Sequence, residues 1–117
     1  MAEIVRKGGN GRYSAVVNHN GTLYIAGQVG KDMSADIAQQ TRETLAAIDE
    51  LLAANGSDKE HILSATVFVD DMAHAPEMNK VWDSWVVPGK EPARICVAAA
   101  MFSPACKVEI GLIAVVK

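Results

Sequence analysis

Two runs near the end of the chain constrain its fold more than any other feature. They are Pro92-Ala93-Arg94-Ile95-Cys96-Val97-Ala98-Ala99-Ala100 and Lys107-Val108-Glu109-Ile110-Gly111-Leu112-Ile113. Both are strand-like and almost wholly apolar, yet Arg94 and Glu109 stand within them. An ionised group in an apolar setting costs several kcal/mol unless something partners it. Each of the two therefore needs a protein partner or a ligand. Alternation along a strand points Ile95, Val97, Ala99 and Met101 one way and Arg94, Cys96, Ala98 and Ala100 the other. In the second run Val108, Ile110, Leu112 and Ala114 oppose Glu109, Gly111, Ile113 and Val115. Both faces are largely apolar, so a sheet made of these runs needs cover on both sides. A chain of 117 residues forms one domain, 1–117, with a modest core. Two helices cover one face; the other is expected to pack sheet against sheet in an oligomer.

The rest of the chain supplies the helices. Asn20-Gly21, between Val16-Val17-Asn18-His19 and Thr22-Leu23-Tyr24-Ile25, is a hairpin signal, because both turn residues tolerate positive φ. From Asp36 the period changes. Ile37, Thr41, Thr44, Leu45, Ile48, Leu51 and Leu52 fall on one helical face, and Asn55-Gly56 is a stop signal. The predicted helix is about 30 Å long. Ile62 to Val69 is rich in β-branched residues and reads as a strand. A second helix is predicted from about Ala73 to Trp85, with Pro76 tolerated in its first turn and Met78, Val81, Trp82 and Trp85 as its apolar stripe. The order strand, strand, helix, strand, helix, strand, strand predicts a two-layer α+β domain with a mostly antiparallel sheet.

Half the residues are apolar and 21% are charged, which describes a folded chain rather than a disordered one. The net charge of -3 offers no electrostatic footprint for nucleic acid or an anionic membrane. No apolar run reaches transmembrane length, and Met1-Ala2-Glu3-Ile4-Val5-Arg6-Lys7 lacks the apolar centre of a signal peptide. A cytoplasmic location is expected, with Cys96 and Cys106 as free thiols. Two cysteines and three scattered histidines make no recognisable metal site.

If the last two strands form a hairpin centred on Phe102-Ser103, Cys96 lies opposite Glu109 and Arg94 lies diagonally nearby. A guanidinium, a thiol and a carboxylate then share one patch. The planar fork of arginine suits a carboxylate ligand, and the glutamate could hold or deprotonate a water. The same two charges could equally form a structural ion pair at a subunit interface, and the residues alone leave both readings open. Cys96 reads more readily as a small buried hydrophobe than as a nucleophile, with no histidine placed to activate it. Tyr13 reads first as a packing aromatic. Asn79, one residue after Met78, faces solvent or an adjoining cleft. Met78, Trp82 and Trp85 read as core.

Gly27-Gln28 after a strand, Ala65-Thr66-Val67-Phe68-Val69-Asp70, Met78-Asn79-Lys80-Val81-Trp82, Pro92-Ala93-Arg94-Ile95-Cys96-Val97 and Lys107-Val108-Glu109-Ile110 together resemble the RidA (YjgF) family of reactive-intermediate deaminases. The resemblance runs in order over nearly the whole chain, and Trp82-Asp83-Ser84-Trp85-Val86-Val87 is similar to the YoaB-like branch. It implies a chorismate-mutase-like fold and a homotrimer whose sheets form a barrel, with clefts between subunits. It also implies hydrolysis of 2-imino acids of the iminopropanoate and iminobutanoate type to 2-keto acids and ammonia, without a cofactor. On that resemblance Arg94 grips the substrate carboxylate and Glu109 positions the attacking water. Cys96 acts mainly through its backbone near the imine nitrogen, with its thiol open to oxidation or modification. Tyr13 and Asn79 belong to the cleft. The chain departs from the best-studied members at Ala26, where they have serine, at Arg12, where they have proline, and at Gly111, where they often have a second acid. An alternative from another class is a non-catalytic small-acid binder or chaperone-like protein using the same cleft. An endoribonuclease fits least, given the acidic charge.

Overall fold

The computed structural model describes residues 3–117; Met1 and Ala2, the first residues of the expected domain and of its polar start, lie outside the described residues. Eight principal elements run in the order β1 (Ile4–Lys7), β2 (Val16–His19), β3 (Thr22–Gln28), α1 (Ile37–Ala54), β4 (Ile62–Val69), α2 (Ala75–Trp85), β5 (Ala93–Ala98) and β6 (Val108–Val115). Short 3-10 turns at Lys59–His61 and Met72–His74 lead into β4 and α2.

The local chemistry explains the elements. Asn20 and Gly21 take positive φ angles of 58° and 82°, the two-residue turn that matches strand twist. Asp36 caps α1, its side chain accepting from the Gln39 N–H, which satisfies one of the donors left free in a first helical turn. The apolar stripe of α1 is buried at Ile37, Thr41, Thr44, Leu45, Ile48 and Leu52. Thr41 and Thr44 hide their hydroxyls by donating to the Ile37 and Gln40 carbonyls at 2.7 and 2.8 Å. In α2, Pro76 falls in the first turn, where its missing N–H is not needed.

The sheet has six strands in the order β1-β2-β3-β6-β4-β5. All pairs are antiparallel except β4 and β5. Both helices cover one face. Leu23, Ile25, Val67, Val69, Val108, Ile110, Leu112 and Ala114 from the strands form a single core with Leu45, Ile48, Leu52, Met78, Val81 and Trp82 from the helices. The opposite face is open: Tyr24 is 46% exposed, Ile95 62% and Val97 41%.

Two expectations need correction. The N-terminal strand β1 was not foreseen; its four residues are all exposed and show no alternation. More consequential is the placement of β5. It does not form a hairpin with β6, because β4 stands between them. A parallel neighbour requires a crossover; α2 supplies one between β4 and β5, and residues 99–107 then carry the chain across roughly 10 Å, two strand spacings, to reach β6.

A buried amide fixes that last connection. Gln40 is fully buried. Its Nε2 donates to the carbonyls of Ala35 and Ala105, both at 3.0 Å, and its Oε1 accepts from the Lys107 N–H at 2.9 Å. One side chain of α1 thereby sets where β6, and Glu109 with it, begins.

Candidate active site

Arg94 lies on β5 in register with Ala65, and Ala65 with Leu112. Those two residues are buried in the core, so Arg94 projects to the helix-covered side. There its Cζ sits 5.0 Å from the centroid of the Trp82 ring, and Nη1 lies 4.0 Å from the Met78 sulfur. Met78 and Trp82 are four residues apart on α2 and share a face. An aromatic ring attracts a cation through its quadrupole without using any N–H donor, and a thioether is a weak acceptor. The ion pairs among the described residues are His61–Asp58, His74–Asp70 and Lys117–Asp58. Among the described residues its partners are soft and apolar, and no carboxylate engages its fork.

Asn79 follows Met78. Its Oδ1 is buried and has no hydrogen-bond partner among the described residues, which corrects the reading of a solvent-facing amide. A buried acceptor without a donor is uncommon. Cys96 registers with Val67, and Val67 with Ile110. Its half-buried side chain packs against the core, on the side of Arg94. Cys106 is fully buried and donates to the Val108 carbonyl at 3.4 Å. Burial raises its pKa, which disfavours the nucleophilic thiolate.

Glu109 belongs to the other side. It registers with Phe68, and Phe68 with Val97, which places it on the open face. Its carboxylate lies over Gly27, where a Cβ would overlap Oε2. The neighbouring Gly111 lies against Ile25 and Gly27, its missing Cβ falling 3.6 Å from the Ile25 carbonyl oxygen and 3.7 Å from the Gly27 nitrogen. The register of β3 shifts between Ile25 and Gln28, so the glycine sits at an irregularity of the strand, as bulges near sites commonly do.

Tyr13 is 57% exposed on the loop between β1 and β2. Asn10 holds that loop: its Oδ1 accepts from the N–H groups of Arg12 and Tyr13, both at 3.0 Å. Tyr13 and Ala26 line a shallow groove of about 560 Å³ on the open face, together with Thr66, Phe68, Gly111 and Ile113. Ala26 and Gly111 bring no polar group to it.

The candidate residues fall into two groups, on opposite sides of the sheet. Arg94 and Cys96, on the edge strand β5, and Asn79, on α2, lie on the helix side; Glu109, Tyr13 and Ala26 lie on the open side. The expected convergence of guanidinium, thiol and carboxylate on one patch does not occur within one chain, because β4 separates their strands and register puts them on opposite faces. Sequence reasoning treated Trp82 as core alone and gave Gly27 no part beyond the Gly27-Gln28 motif. Trp82 carried a signal in its four-residue spacing from Met78; the crowding at Gly27 had none.

Among the described residues no group of three His, Cys, Asp or Glu side chains could hold a metal ion. No helix among the described residues is long and apolar enough to cross a membrane.

Comparison with known proteins shows what the chain is similar to. The family described as Endoribonuclease L-PSP matches residues 5–116. The RutC family protein YoaB of Escherichia coli K12 is 47% identical over 113 residues, which cover 97% of this chain and 98% of that protein. A mouse 2-iminobutanoate/2-iminopropanoate deaminase is 30% identical over 129 residues, covering 98% and 95%. Among solved structures, a member of the YjgF protein family from Neisseria meningitidis superposes with a TM-score of 0.95 at 43% identity, covering 98% of this chain and 96% of that one. The α+β fold expected from the resemblance is the fold found.

Proposed function

Because the chain belongs to the YjgF/RidA (endoribonuclease L-PSP) family, we propose that it hydrolyses small 2-imino acids to 2-keto acids and ammonia in a cleft between two copies of itself. The observation that carries this reading is the separation of Arg94 from Glu109. Each is held ready on its own face and neither partners the other, so a second copy is needed to bring them together. The open face and the free edge of β5, with Ile95 and Val97 exposed, supply surface suited to such packing. In this reading the assembly is a cytoplasmic homotrimer, it needs no cofactor, and its partner is a small molecule with a carboxylate.

The chemistry asks little of the protein. The imine carbon is already electrophilic. Arg94 of one copy binds both carboxylate oxygens. Glu109 of the next accepts a proton from water as the oxygen attacks C2. That proton passes to nitrogen and gives a carbinolamine; Glu109 then takes the proton of the new hydroxyl and hands it to nitrogen as C=O forms and the C–N bond breaks, so that both hydrogens of the water leave with nitrogen as ammonia beside the 2-keto acid. Holding carboxylate and water in line provides most of the acceleration. Tyr13 and Asn79 bound the cleft, and Asn79 Oδ1 gains a donor there, the imine N–H being a suitable one. Cys96 contributes through its backbone on the free edge of β5, since its side chain packs toward the core.

A second reading is small-acid binding without turnover, favoured by the apolar Ala26 and Gly111 in the groove. One assay separates the two. An amino-acid oxidase generates the imine in situ and semicarbazide traps what remains. The deaminase lowers the trapped signal and Arg94→Ala abolishes the effect; a wild type that binds 2-oxobutanoate but leaves the trapped signal unchanged would support the binder.

A further inference from the structure

We infer that Trp82 is a positioning residue: it presents the Arg94 guanidinium to a carboxylate ligand, and its indole registers the arrival of that ligand. The inference rests on the deaminase reading and deepens it. Trp82 is 6% exposed, so its ring is fixed by the core rather than free to follow the arginine. Arg94 stands over that ring at 5.0 Å. The second contact, at 4.0 Å to the Met78 sulfur, is one that any carboxylate outcompetes. Arginine loses considerable rotamer freedom when it is held. A ring that holds the cation before the ligand comes removes much of that cost from binding.

The ring is also a better partner here than an acid. A carboxylate beside Arg94 would hold it equally still, but would neutralise it and occupy the fork. The quadrupole of an indole attracts the cation, is the strongest among the aromatic side chains, and leaves every N–H unclaimed. Trp82 lies 5.5 Å from Trp85, whose Nε1 donates to Asp49 at 3.0 Å. The second indole therefore belongs to the outer surface between the helices, and removing it leaves Trp82 as the sole tryptophan of the chain.

The test uses the full-length protein and 2-oxobutanoate, the keto acid product, as probe. Calorimetry of Trp82→Leu should show binding about tenfold weaker than wild type, with Trp82→Phe recovering most of the loss. In turnover, the KM of Trp82→Leu should rise by a similar factor while kcat changes far less. In the Trp85→Phe variant the emission of Trp82 should change saturably with 2-oxobutanoate, and the change should vanish when Arg94→Ala is added. A Trp82 that served the core alone would give none of these ligand-linked effects. Wild-type affinity in Trp82→Leu, or unmoved Trp82 emission at ligand concentrations that saturate the calorimetric signal, overturns the assignment. If Trp82→Leu does not fold, the emission experiment decides by itself. A wild type that binds no 2-keto acid removes the deaminase reading and this inference together, whereas a wild type that binds with no effect of Trp82 removes this inference alone.

Discussion

The carboxylate of Glu109 rests on Gly27 so closely that no side chain, not even a methyl group, fits beneath it. The φ angle of Gly27 is not in the left-handed region, so an L-residue could adopt the backbone there. The glycine leaves the room in which the carboxylate rests, and a methyl group there would push the carboxylate aside.

Gly27→Ala therefore tests the placement of Glu109 without touching its chemistry. The added methyl forces the carboxylate aside, and a displacement of about 1 Å at a reacting group lowers rates by about a hundredfold. Steady-state kinetics should show that loss in kcat, with KM nearly unchanged because Arg94 is untouched.

Glu109→Gln keeps the shape and removes the base. Turnover should fall by about 10²- to 10⁴-fold, while calorimetry with 2-oxobutanoate shows affinity close to wild type. Equal loss of turnover and affinity would count against the water-positioning role.

Much of the scaffold around these residues is legible in the chain. The period of Ile37, Thr41, Leu45 and Ile48 after Asp36 is helical, and Asn20-Gly21 makes the hairpin it promises. Strand neighbours are not legible in this way. Whether β5 pairs with β4 or β6 depends on contacts distant in sequence, and two apolar strands joined by nine residues read as a hairpin. The same error moved Glu109 to the wrong face relative to Arg94. Gln40 escaped because a glutamine at a core-facing helical position looks like a break in the stripe; only the carbonyls and N–H it meets explain it.

Gln40→Leu should destabilise the protein by about 1–3 kcal/mol, since it leaves the partly buried Ala35 and Ala105 carbonyls and the Lys107 N–H without their partner. Urea unfolding measures this directly. Activity should fall as well, because the start of β6 loosens ahead of Glu109.

His74 and Asp70 give stability a pH dependence. The hydrogen bond to Asp70 is the main cause that raises the His74 pKa, with its charge second; Asp71 adds to the rise, while Lys107 and partial burial oppose it. A raised pKa in the folded state means that the protonated pair stabilises fully below the unfolded value of about 6.5. That contribution is lost as pH climbs through the folded value. The Tm difference between wild type and His74→Phe should thus be largest at pH 5 and shrink toward pH 9. A difference that grows with pH would contradict the pairing.

Subunit complementation tests most directly whether Arg94 and Glu109 work across two copies. Arg94→Ala and Glu109→Gln are each expected to be inactive alone. When equal amounts are unfolded together and reassembled, random mixing unites an intact Arg94 with an intact Glu109 in about a quarter of the clefts. Imine hydrolysis should recover to about a quarter of the wild-type rate. Recovery to no more than the sum of the two separate variants would show that the two residues do not meet between subunits.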